Sequence, residues 1–493
     1  MCCSKTCWLI AGSVVGGLLA ILGGVLFPVG DLLVESTIEK EVVIEKGTIA
    51  YDNWVKPGSE VYRQFWIFHV ANPDAIINGG KPLLQQKGPY TYLVRDLEKS
   101  NITQLGNTVS FYQPNQATFQ RHMSIGPEET NYTVLNLAVA AVPALIDAPL
   151  LIDTLIRTTN SSLFQERSVK EFLWGYRCPF LAEIPDQIMP DKNIGVFYPY
   201  NGTSDGPYIV FNGKEDISKV AIIDKYMGES SLSYWNDTYC DMINGTDGAS
   251  FPPFVGKKDR LFFFSSEICR SMYGEFEKEY TLKGIKIYRF VVPSLVHASP
   301  LINPDNHCYC TELVLSRNCT GAGVLDLQKC QGGKPIYISL PHFMHASDFI
   351  MDMVDGLSPN KEEHETFVDV EPITGFTMHF AKRLQVNVMF QKNERITLFS
   401  KLPRETLLPV LWLNETAIID DESVKMFKSA VTVPLTVLEV MQILLICLGS
   451  VMFLACSIAL CVRSSKKKKG IRFALVLSKG KVFKGAFNAV LTG

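Results

Sequence analysis

Two long apolar runs near the ends of this 493-residue chain limit what the rest of it can become. Trp8 to Val29 carries no charge, and Leu435 to Val462 is broken only by Glu439 and Gln442. A helix of about 20 apolar residues, rising 1.5 Å per residue, crosses about 30 Å of hydrocarbon. Each run is therefore expected to be a membrane-spanning helix. The first is longer than the apolar core of a cleaved leader, about 7 to 15 residues, and no Ala-x-Ala site follows it, so an uncleaved anchor is expected. The chain then divides into residues 1–7, a span at 8–29, a large segment at 30–434, a span at 435–462 and a tail at 463–493.

Charge orients this arrangement. Lys5 precedes the first run, and Arg463 with Lys466 to Lys469 follows the second, so the positive-inside rule puts both termini in the cytosol. Eight Asn-x-Ser/Thr acceptors lie between the runs and none beyond them: Asn101, Asn131, Asn160, Asn201, Asn236, Asn244, Asn318 and Asn414. Such acceptors are used in the secretory lumen, which agrees with an external middle segment. The formal net charge of −3 conceals a division, because residues 463–493 hold nine Lys or Arg and no acid. That tail is expected to face anionic lipid. The adjacent span excludes a nucleic-acid reading of its lysines.

The same compartment argues for disulfides. Cys308, Cys310, Cys319 and Cys330 fall within 23 residues, with Cys240 and Cys269 upstream, and sequons are interleaved among them. Zinc would require two Cys-x2-4-Cys pairs, which this stretch lacks. Cys308 and Cys310 are too close to bond each other without strain, and Cys319 is the short-loop partner for Cys310. Six cysteines still allow 15 pairings. Cys178 is left as an odd seventh, expected to be buried and unpaired. Cys3, Cys7 and Cys461 stand at the cytosolic membrane edges, where S-acylation adds anchoring.

Gly12, Gly16, Ala20 and Gly24 recur every four residues in the first run, a face on which two helices can approach closely, either the second span or another copy of the chain. Between the runs, Val42–Ile44, Gly47–Tyr51, Val61–Phe68, Gly88–Tyr92, Ile285–Val292 and Thr374–Val388 read as strands of a mainly antiparallel sheet. Val134 to Ile156 departs from that pattern. Its two aspartates and two prolines argue against a third span and for two short helices with excess apolar surface. No Gly-x-Ser-x-Gly elbow, His-Glu-x-x-His or phosphate-cradling glycine loop is present, so neither an enzyme, a metal nor a cofactor is expected.

Several local phrases resemble the class B scavenger receptor family: Gly88-Pro-Tyr-Thr-Tyr92, Trp174-Gly-Tyr176, Asn244-Gly-Thr-Asp247 with Phe251-Pro-Pro-Phe254, Ile338-Ser-Leu-Pro-His-Phe343, Glu371-Pro-Ile-Thr-Gly375 and Trp412-Leu-Asn-Glu415. The resemblance covers about residues 8 to 463. It implies an α+β fold: a large antiparallel β-barrel-like ectodomain threaded by a tunnel, with a small apical helical bundle, held by two transmembrane helices. It also implies the pairings Cys240–Cys308, Cys269–Cys330 and Cys310–Cys319. The function it implies is that of a plasma-membrane receptor, also found in the Golgi and membrane rafts, that takes up long-chain fatty acids such as palmitate. Oxidised low-density lipoprotein, thrombospondin and collagen are further implied ligands, the last two near Leu93 to Gln120, with a role in cell adhesion.

Two departures from the family pattern stand out. Where relatives carry a basic pair in the cap, this chain has Thr158 and Asn160, which leaves Arg157, Arg167 and Lys170 as the candidate ligand-binding cations. The basic and apolar tail from Gly470 to Gly493 has no family counterpart, and the lack of acid in it argues against a lysosomal sorting signal.

Overall fold

The structure, a computed structural model, describes residues 5–56, 58–95 and 97–490; of residue 31 and residues 473–490 it describes the backbone alone. It divides into two compact units, Ile38–Val424 and the terminal segments Met1–Thr37 with Lys425–Gly493.

In the terminal unit, helix α1 (Lys5–Glu41) and a second helix (Val433–Val490) contain the two apolar runs, and both are long and apolar enough to cross a membrane. They cross where side chains are small. A Cβ on Gly16 would lie 2.6 Å from the Phe453 nitrogen, and one on Gly449 would collide with the Ala20 backbone. The Ser13 and Ser457 hydroxyls bond at 2.7 Å, and Gln442 Nε2 donates to the Leu26 carbonyl at 2.8 Å. The stripe Gly12, Gly16 and Ala20 is thus occupied within the chain, whereas Gly24 meets nothing within 4 Å. A homo-oligomer through this stripe would have to displace the second helix. Cys7 is half-buried and Cys461 exposed on these helices, while Cys3 lies outside the described residues.

The central unit is built on one sheet of eleven antiparallel strands. They are β1 (Val61–Val70), β2 (Leu84–Val94), β3 (Ala117–Phe119), β4 (Leu261–Ser265), β5 (Arg270–Leu282), β6 (Ile285–Val291), β7 (Val324–Asp326), β8 (Ile336–Ser339), β9 (Phe367–Val370), β10 (Thr377–Gln391) and β11 (Glu405–Ile418). The hydrogen-bonded order is β4-β5-β6-β9-β10-β11-β1-β2-β3, with β8 on β10 and β7 on β8. The expectation of a mainly antiparallel core holds, but the sheet is open, its path ending on β4 and β3, rather than a closed barrel. β11 is buried along most of its length, as its Leu-Leu-Pro-Val-Leu-Trp-Leu run requires of a strand covered on both faces.

Two strand expectations fail. Residues 42–44 are a bend that leaves α1, the Val42 amide still donating to the Ile38 carbonyl at 2.9 Å. Residues 47–51 belong not to a strand but to the start of helix α2 (Ile49–Val55), because the Thr48 hydroxyl accepts from the Tyr51 amide at 3.1 Å and so caps the first turn. The Val134–Ile156 stretch does form two short helices, α3 (Leu137–Leu145) and α4 (Pro149–Thr158). Ala138, Val139, Val142, Ile152 and Ile156 are buried in the core, whereas Leu150 and Leu151 are exposed. Helix α5 (Val169–Trp174) follows, opened by a capping box between Ser168 and Glu171. The helix of Val433–Val490 is α6.

Three disulfides join Cys240 to Cys308, Cys269 to Cys330 and Cys310 to Cys319. Cys178 is buried and outside any disulfide. Seven of the eight sequon asparagines are exposed. Asn414 is half-buried within β11, its Nδ2 donating to Gln64 Oε1 at 3.0 Å.

Candidate functional site

A row of charges crosses the middle of the sheet. Register sets Arg63 of β1 opposite Glu415 of β11 and Glu415 opposite Lys382 of β10, so the three side chains share one face. Glu267, in the turn after β4, reaches both cations: its carboxylate pairs with Arg63 at 2.9 Å and with Lys382. Arg95, just past β2, pairs with Glu415 at 3.2 Å. The Arg63 and Glu415 side chains are each 1% exposed and bonded to one another. Burial alone would raise the Glu415 carboxyl, but Arg63, Arg95 and Lys382 outweigh it and hold the carboxyl below its ordinary range. Among the described residues the cluster sets three cations against two carboxylates, one positive charge in excess.

Aromatic rings wall one side of it. The Arg63 guanidinium lies 5.1 Å from the Tyr200 ring centroid and 5.7 Å from that of Phe197. Trp174, at the end of α5, packs against the same two rings at 6.0 and 6.1 Å, and edge-on against Tyr92 at 5.0 Å and Phe65 at 5.8 Å. The turn after α5 fixes this placement. Gly175 has φ +110°, and a Cβ there would come within 2.7 Å of the Tyr198 ring.

One buried donor in this cage, Arg63 Nη1, has no hydrogen-bond partner among the described residues, and Trp174 Nε1 faces the Tyr92 hydroxyl. Buried polar groups are ordinarily paired, so an unpaired N–H beside a surplus positive charge fits an acceptor that carries negative charge.

The cations proposed from the sequence stand differently. Arg157 is held by Asp153 at 2.6 Å and by the Thr397 hydroxyl at 2.6 Å, on the exposed side of α4. Arg167 stacks on Tyr176, 4.1 Å from its centroid. Lys170 pairs with Glu128 at 2.8 Å. These three do not converge on a common point, but Lys170 is linked to the cage, because Glu128 also accepts from the Tyr92 hydroxyl at 2.9 Å. Sequence reasoning missed Arg63 and Trp174. The signal was present in part, since Trp174-Gly-Tyr176 and Trp412-Leu-Asn-Glu415 are among the phrases that carry the resemblance.

On the opposite face, Trp66 and Trp412 stack at 3.9 Å, and the Trp412 indole N–H donates to Gln86 at 2.7 Å. His342 stacks on His364 at 4.5 Å. Burial, and then the mutual repulsion of two rings, lowers His342 to about 4; burial and Arg383 lower His364 to about 4.

The chain matches the CD36 family over residues 14–460. It is 35% identical to lysosome membrane protein 2 of Rattus norvegicus over 454 residues, 90% of this chain and 92% of that protein. The same protein of Homo sapiens is 35% identical over 421 residues, 84% and 86% of the two chains. Scavenger receptor class B member 1 of Sus scrofa is 31% identical over 464 residues, 92% of this chain and 89% of the relative.

Proposed function

This chain belongs to the CD36 family, that of the class B scavenger receptors, and from that premise we propose that it is a cell-surface receptor that binds long-chain fatty acids and passes them to the membrane. The observation that carries the reading is the Arg63 Nη1, unpaired among the described residues, in a cluster whose described side chains carry surplus positive charge and aromatic walls. The acid group would be held by Arg63 and Trp174, and the acyl chain would lie along a tunnel through the apolar core. Entry would be at α3 and α4, with Lys170 and Glu128 beside the path. In this reading residues 8–29 and 435–462 are the spans, residues 30–434 are outside the cell, and the tail 463–493 lies on the cytosolic leaflet. The protein works by transfer and not catalysis. Oxidised low-density lipoprotein, thrombospondin and collagen are further proposed ligands of the outer surface.

Membership and the two terminal helices make this a membrane protein. The identity to lysosome membrane protein 2 favours a second reading, a lysosomal sorting role. The acid-free tail weighs against it. The test is transfer of a fluorescent long-chain fatty acid from albumin to vesicles that contain the full chain. Acceleration over empty vesicles is expected, reduced by Trp174→Phe; an unchanged rate overturns the transfer role.

A further inference from the structure

The disulfide-rich loops line a half-open pocket whose wall shares no residue with the charged row, with a volume of about 60 Å³. Its wall includes Arg270, His297, Tyr309, Thr311, Glu312 and Asp326. Arg270 is 6% exposed and, among the described residues, pairs with no carboxylate. Its guanidinium lies 3.7 Å from the centroid of the Tyr309 ring, and its hydrogen bonds are long: 3.3 Å to the Val296 carbonyl, 3.4 Å to that of Ser271 and 3.5 Å to Asn306 Oδ1. His297 is 8% exposed, and its Nδ1 has no partner.

The two acids of the wall do not answer this charge. Glu312 accepts from the amides of Val314, Leu315 and Ser316. Asp326 accepts from the Thr311 hydroxyl at 2.8 Å and the Gln328 amide at 2.9 Å. Neither forms an ion pair with Arg270. An uncompensated buried cation is unfavourable, and a buried ring nitrogen without a partner adds to the deficit. One water needs about 10 to 15 Å³ of such space, so the volume suits an ion with a water or two.

We propose that this cavity binds one small monovalent anion, chloride or a carboxylate group, on the Arg270 guanidinium, with the Nδ1–H tautomer of His297 as second donor. Exposed Leu301 and Leu313 follow the wall residues Pro300 and Glu312 in the chain, so an alkyl carboxylate would also meet apolar surface there.

Chlorine NMR line broadening on the full chain in nanodiscs tests this, because bound chloride relaxes faster than free. A saturable excess linewidth is expected, displaced by acetate, lost in Arg270→Gln, reduced in His297→Phe and retained in Arg404→Gln, whose side chain is 89% exposed. Displacement by octanoate as well as acetate assigns the site to carboxylate headgroups; displacement by acetate alone assigns it to free small anions. The wild-type titration stands even where Arg270→Gln does not fold: no saturable broadening in it overturns the proposal, as does broadening that survives in folded Arg270→Gln.

Discussion

Arg63 and Glu415, 352 residues apart in the chain, lie directly opposite each other on β1 and β11 and form an ion pair that is 1% exposed on both sides. Their strength comes from the network: Glu267 on the arginine, Arg95 and Lys382 near the carboxylate. Removing one member of such a pair strands the other. Glu415→Gln is expected to cost about 3 to 5 kcal/mol, while Arg63→Met with Glu415→Leu costs less than the sum of the single changes. Denaturant unfolding of the wild type, Arg63→Met, Glu415→Leu and the double variant, as a double-mutant cycle, measures the coupling; a value near zero contradicts the network.

The histidine pair predicts a pH response. His342 and His364 titrate at about 4 when folded and at about 6.5 when unfolded, so between these values the unfolded chain binds more protons. Stability is therefore full above about pH 6.5, falls as pH drops from 6.5, and stops falling on their account below about 4. Glu415, held low, is lost only at pH below the usual carboxylate range. His297, lowered to about 3 by burial and Arg270, adds to the same fall, and the carboxyls of Glu365 and Glu371, raised by burial, oppose it, so the pair is read by comparison with a variant. Thermal melts from pH 6.5 to about 4 should show a shallower slope in His364→Asn.

Loop length orders the disulfides. Cys240–Cys308 and Cys269–Cys330 close separations of 68 and 61 residues, Cys310–Cys319 only 9. Chain entropy then gives about 4 kcal/mol for each long loop and about 2.5 for the short one. Removing both cysteines of Cys240–Cys308 should lower the melting temperature more than removing both of Cys310–Cys319. In Cys310→Ser alone, the thiol count of denatured, unreduced protein should rise by one as Cys319 is freed.

The helix crossing is also testable. Ser13→Cys with Ser457→Cys should oxidise to an intramolecular disulfide, detected by mass spectrometry of the digested protein. Adding Gly16→Ile, whose side chain would meet Phe453, should abolish it.

What was legible in the sequence depended on how local the physics is. The terminal helices follow from apolar length alone, and the strand read at Val61–Phe68 is present as Val61–Val70. Residues 47–51 misled because Gly-Thr-Ile reads as a strand edge, whereas the Thr48 hydroxyl is used as a helix cap. The cage was hidden for a different reason. Arg63 is one cation in a strand, and only the register across β1, β11 and β10 gives it Glu415 and Lys382 as neighbours. Arg157, Arg167 and Lys170 stood out in the sequence by their closeness in the chain, but each is held by its own partner.

The central claim is that the Arg63 cage holds an acid headgroup. Native mass spectrometry of the full chain in detergent, deglycosylated and incubated with equal palmitate and methyl palmitate, tests it most directly. The account predicts retention of the acid in preference to the ester, with the preference reduced in Trp174→Phe. Equal retention of acid and ester, or retention of neither, would contradict it.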